Sequence, residues 1–150
     1  MDVRALLPAG VRDDPGRGRL FALLVLAPTL LGAAHHVDHV VRGNHVGWPL
    51  TPHVNAFTYS LAMYPLVGAS LALTYADRAG VRYWTAFFAA STGVLAFLHL
   101  GPWAVEPPRD VLDPYADPLF GYLAFAVLLG LLAVLVLAAG YAGRLWLADR

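Results

Sequence analysis

The sequence predicts an all-α integral membrane protein, a four-transmembrane-helix bundle with both termini cytoplasmic. Three observations carry that expectation. Of the 150 residues, 59% are hydrophobic and 13% charged, whereas a soluble domain carries about 25% charged residues. Four apolar segments, 20–41, 57–75, 83–103 and 119–141, each come near the ~20 residues that a helix needs to cross ~30 Å of hydrocarbon. The arginines are then divided unequally by those segments, which orients the chain.

The segments follow in order as one membrane domain over 1–150, with a cytoplasmic N-terminal tail at 1–18. Span one, "LFALLVLAPTLLGAAHHVDHVV", carries Pro28 inside it. "RGRLFALLVLAPTLLGAA" also has the basic start, apolar core and small-residue end of a signal peptide. Its length, and the continued apolar pattern at Val37, Val40 and Val41, favour a retained helix. In the first connection Gly43 suits a helix end, Trp48 and Pro49 an aromatic anchor, and Thr51 or Asn55 a cap for span two. Pro65 should kink or loosen span two. The short "ADRAGVR" turn offers Gly80 for a helix C-terminus. Gly68/Ala72, Ala89/Gly93 and Ala139/Gly143 are small-x-x-x-small pairs of the kind that lets helices approach, and equally what chance produces in an Ala/Gly-rich chain.

Arg4, Arg12, Arg17, Arg19, Arg78, Arg82, Arg144 and Arg150 fall on one side, leaving Arg42 and Arg109 on the other. The positive-inside rule makes the first side cytoplasmic and predicts a multi-pass protein of the cell membrane. Trp48, Tyr59, Trp103 and Tyr115 would mark the outer interface; Tyr75, Tyr83, Trp84, Tyr141 and Trp146 the inner one.

Composition also excludes chemistry. Ten basic and ten acidic residues give no pull toward nucleic acid. The absence of lysine removes Schiff-base chemistry, and the absence of cysteine removes thiolate ligands and covalent haem attachment. No G-x-S-x-G or Walker pattern occurs.

What remains is histidine. "AHHVDHVVRGNHV" holds four of the six, at the outer end of span one, and His99 sits near the outer end of span three. At 1.5 Å per residue His35 and His99 are nearly level. At 100° per residue His35, Asp38, His39 and Arg42 share one face, with His36 bordering it, and His35 and His39 have the i,i+4 spacing that lets two imidazoles share a metal. Intramembrane ionisable groups are costly and mark function by default. The plainer reading is an Asp38–Arg42 ion pair with interfacial histidines beside it.

Three functions fit this pattern. A Zn, Fe or Cu ion bound by His35, His39 and His99, with Asp38, His45 or Glu106 completing the set, could act on a lipid-soluble small molecule. A b-type haem could take His99 and one of His35, His36 or His39 as axial ligands, as in four-helix membrane cytochromes. A non-enzymatic partner, carrier or pH sensor could use the imidazoles' ordinary titration. "HHVDH" resembles one histidine box of membrane di-iron hydroxylases and desaturases. The second box of that family is absent here, and its boxes lie on the cytoplasmic side, so no membership follows. The acidic, proline-rich stretch 101–118 reads as a stiff hydrated loop, or as a lid that brings Glu106 or Asp110 to the histidines. Tyr59, Ser60 and Tyr64, on the outer half of span two, could hydrogen-bond to a ligand or to groups that support the metal's donors. The partners expected are the lipid bilayer and a lipid-soluble molecule, with homo-oligomers compatible.

Overall fold

The computed structural model describes residues 3–43, 51 and 53–148. A 3-10 turn (Val3–Leu6) and α1 (Ala9–Arg12) precede α2 (Pro15–Arg42); α3 (Ala56–Ser60) and α4 (Met63–Tyr75) form a broken second span. Then come α5 (Val81–Leu100), the short α6 (Pro108–Leu112) and α7 (Pro118–Ala148). Among the described residues, four helices are long and apolar enough to cross a membrane, with Ala56–Tyr75 counting as one. The first starts earlier than the apolar pattern indicates, because Asp14 caps it through the N–H groups of Gly16 and Arg17 and Pro15 opens it. It ends at Gly43, whose φ of 84° suits glycine. The third stops at Leu100, before Gly101 and Pro102, and the fourth continues to Ala148.

Span two breaks where its proline dictates. Pro65 has no N–H for the Leu61 carbonyl, and its ring would crowd that carbonyl. The Leu61 carbonyl instead accepts from Tyr64 N–H, at 3.2 Å, and the helix reforms after a turn at Leu61–Ala62. At the start of α3, Asn55 and Thr58 form a reciprocal capping box.

The core joins α2, α5 and α7, which holds Leu131, Leu135, Ala138, Ala142 and Leu145 against Phe21, Trp84 and Phe88. Val11 reaches the same cluster from α1. Phe21 and Trp84 meet edge to face at 5.7 Å, a favoured aromatic geometry. The α4 helix is tied to α5 by polar groups at its far end: Trp84 Nε1 donates to Thr74 Oγ1 at 2.9 Å, and Ser70 Oγ pairs with Tyr83 OH at 2.7 Å. Between that tie and the histidine end, α4 stands off and leaves a cavity.

Three local expectations are corrected. Trp84 is fully buried rather than at an interface, because its indole N–H finds Thr74 inside the bundle. Gly80 precedes α5 as its N-cap; the preceding helix ends on Asp77, at φ 55°, with Arg78 N–H returning to Leu73 O and Asp77 N–H to Thr74 O. That is a Schellman ending with aspartate where glycine is usual, and Asp77 also pairs with Arg12 at 2.7 Å. Of the small-residue pairs, Gly143 packs near Thr85, whereas a Cβ on Gly68 or Gly93 would meet nothing.

Candidate metal centre

The last two turns of α2 are inverted relative to a soluble helix. His35, His36, Asp38, His39 and Arg42 are buried, while Val37, Val40 and Val41 are each more than 60% exposed. Helical periodicity produces this division, since apolar positions that alternate around the polar ones turn outward together. In a bilayer that direction is apolar too, so valine belongs there and the imidazoles belong inside.

Inside, α5 supplies His99 and the stretch after it supplies Glu106. His35, His39 and His99 each offer a ring nitrogen, and the three nitrogens lie within 4.8 Å of one another. His35 Nε2 is 3.3 Å from His99 Nε2 and 3.2 Å from His39 Nε2. His39 Nε2 is in turn 3.2 Å from Glu106 Oε2. The buried cluster of three histidines could hold a metal ion.

Neighbouring groups orient these donors. His99 Nδ1 donates to the Glu106 carbonyl at 3.0 Å, which leaves Nε2 with its lone pair toward the other rings. The Glu106 N–H returns to Leu98 O at 3.0 Å, so the loop is fastened to the end of α5 on both sides of the peptide. Arg42 NH1 donates to Glu106 Oε1 at 2.7 Å and to the Asp110 carbonyl at 2.9 Å, and its Nε donates to Asp38 Oδ2 at 2.7 Å. Tyr115 closes the network by donating its hydroxyl to Asp38 Oδ1.

Burial pushes the Glu106 carboxyl above its ordinary range, and the Arg42 hydrogen bond and charge recover only part of that. The Tyr115 phenol is pushed up to about 12, by burial first and then by its bond to Asp38. Two carboxylates thus share one guanidinium out of water. Among the described residues, Glu106 Oε2, His35 Nδ1, His39 Nδ1 and Arg42 NH2 are buried side-chain atoms without a hydrogen-bond partner.

The other expected residues are placed differently. His36 points to span two, with Nδ1 2.7 Å from Tyr64 OH and Nε2 2.8 Å from Ser60 Oγ. Both hydroxyls flank the Leu61–Ala62 break. Asp38 is occupied by Arg42 and Tyr115. Asp110 contributes its carbonyl rather than its carboxylate to the network. His53 is exposed, and His45 and Trp48 lie outside the described residues. Tyr115, expected at an interface, and the Arg42–Glu106 pair had no periodic signal, because both depend on how the loop folds back.

A cavity of about 410 Å³ opens from this cluster toward the middle of the bundle, bounded by α2, α3, α4, α5 and two leucines of α7. His35, His39, His99 and Glu106 form its polar end. No protein family, curated protein or solved structure matches the chain in comparison.

Proposed function

We propose that this protein holds a first-row transition-metal ion, zinc, iron or copper, at the outer end of a membrane bundle, and presents it to lipid-soluble molecules. The ligands are His35, His39, His99 and Glu106. The observation that carries this reading is the donor spacing. Metal–imidazole bonds of about 2.0–2.1 Å in a tetrahedral set separate neighbouring donors by about 3.3–3.4 Å. Three of the six pairs among these four donors span 3.3, 3.2 and 3.2 Å, and the three histidine nitrogens all lie within 4.8 Å of one another.

While Glu106 is ionised, protons alone serve this chain of donors poorly; a neutral Glu106 would instead donate from Oε2 to His39. A proton on His35 Nε2 can face His99, but His39 Nε2 must then turn a lone pair toward the Glu106 carboxylate. If His39 donates to Glu106 instead, two N–H groups oppose each other across 3.2 Å. A central cation answers all the lone pairs and offsets the surplus buried carboxylate charge. When bound, such an ion supplies Lewis acidity, and for iron or copper redox chemistry, toward the cavity. The chain's own part is to hold the donors, exclude water and admit an apolar molecule.

The haem reading draws less support. Two axial imidazoles with ~2 Å bonds stand about 4 Å apart across an iron, more than the His35–His99 separation of 3.3 Å. His36 has both ring nitrogens engaged.

Elemental analysis and zinc or cobalt titration of the detergent-purified protein test the proposal. We expect about one metal per chain, loss of binding in His35→Ala and His99→Ala, and about 10- to 100-fold weaker binding in Glu106→Gln, at the scale of tuned metal-site partners. His53→Ala should bind as the parent does. A parent protein that takes up neither metal refutes the proposal.

A further inference from the structure

The shape and polarity of the cavity identify a class of occupant. Along α2 its lining runs from Val25 to His39, about 21 Å at 1.5 Å per residue. That exceeds the length of one acyl chain in a single leaflet, roughly half of the ~30 Å hydrocarbon core. A volume of about 410 Å³ lies near the small end of the ~300–1,000 Å³ of ligand sites, which suits one hydrocarbon chain better than a two-chain lipid.

The walls below the histidines make no polar demand. Thr29 and Ser91 line the cavity, but their hydroxyls donate to the Val25 and Phe87 carbonyls of their own helices. The Tyr83 hydroxyl is paired with Ser70. Phe57, Phe87, Phe88, Leu131 and Leu135 are among the apolar residues of the remaining surface. Leu66 on α4 and Val94 on α5 edge the cavity while 56% and 60% exposed, so its mouth faces sideways between those helices, toward the bilayer interior.

Charge then selects the head group. Asp38 and Glu106 oppose Arg42, and imidazoles that ligate a metal do so as neutral rings. With a divalent ion added, the buried centre carries one uncompensated positive charge. A monoanion taken up as a fifth ligand, beside the four protein donors, neutralises it in a place where uncompensated charge is expensive.

We propose that the cavity binds a single-chain lipid carboxylate, a long-chain fatty acid entering from the bilayer, with its carboxylate on the metal and its chain between α2, α4, α5 and α7. This rests on the metal reading above. At the slot's edge a Cβ on Gly32 would come within 2.7 Å of Met63 Cε, the flexible end of a side chain that can shift.

The test uses the full-length protein loaded with cobalt(II) in detergent, titrated with hexadecanoic acid and with hexadecanol. We expect the acid to bind at least tenfold more tightly than the alcohol and to shift the cobalt visible bands. The preference should disappear in metal-free protein. Ala90→Trp, which narrows the mouth and touches no proposed ligand, should keep one cobalt per chain and weaken acid binding at least tenfold. Equal binding of acid and alcohol, unchanged bands, or acid binding that ignores the metal each overturns the fatty-acid proposal while leaving the metal site standing. Failure to bind cobalt overturns both, and the cobalt stoichiometry measured first distinguishes the two cases.

Discussion

Arg42 is the residue on which the buried polar end depends. Its guanidinium joins α2 to the loop after α5 through Glu106 and Asp110, and to its own helix through Asp38. A planar fork with several fixed donors does this where a lysine could not. Removing it would strand two carboxylates, a change that costs about 3–5 kcal/mol for buried pairs. Tyr115 relieves the same surplus charge by donating to Asp38. Its phenol, raised from 10.0 to about 12, stays a donor where an ordinary tyrosine ionises. The folded state therefore keeps a proton that the unfolded state releases, so its stabilising contribution is full below pH 10.0 and is lost as pH rises toward about 12. An absorbance titration of the parent minus Tyr115→Phe should show a midpoint near pH 12; a midpoint near 10 would contradict the Asp38 contact. Helical angle alone placed Asp38 and Arg42 together with the histidines. It carried no information on Tyr115, whose position follows from a loop with no period.

At the scale of elements, the membrane helices are held apart or together by single residues. Pro65 breaks span two, and the break turns Ser60 and Tyr64 toward His36. Gly121 matters for a different reason. A Cβ there would run into the Leu112 carbonyl, so α6 can sit on α7 only while residue 121 has no side chain. We expect Gly121→Ala to cost about 1–3 kcal/mol by overpacking against backbone. Because α6 belongs to the loop that carries Glu106, metal affinity should fall with it. Gly68→Ala and Gly93→Ala, which face open space, should instead be neutral or gain up to about 1 kcal/mol of helix propensity. Thermal unfolding with metal titration separates these outcomes; a tolerated Gly121→Ala would mean that α6 is not seated there. The proline's effect was legible in the sequence because the missing N–H is a local property. Which glycine is needed was not, since close approach depends on the neighbouring element.

For the whole molecule, the arginine distribution makes a topological prediction that the absence of cysteine makes easy to check. Single cysteines at Asp77 and Asp113 should lie on opposite sides, with only position 113 labelled in intact cells by a membrane-impermeant maleimide. Labelling at 77 alone would invert the bundle and put the histidines inside. The sequence by itself determined that there are four long apolar helices, near which residues they begin and end, and that His35 and His39 share a face. These properties are set by hydrophobicity and by the 3.6-residue period, which act within a segment. Only the tertiary structure decided that His99 meets them, that Glu106 rather than Asp38 is the nearest carboxylate, that His36 serves span two, and that a slot wide enough for one chain lies beneath. Those are relations between segments joined by irregular loops. They are settled by packing, by the pairing of charges out of water and by the gap that a broken helix leaves, none of which is a property of a local stretch of chain.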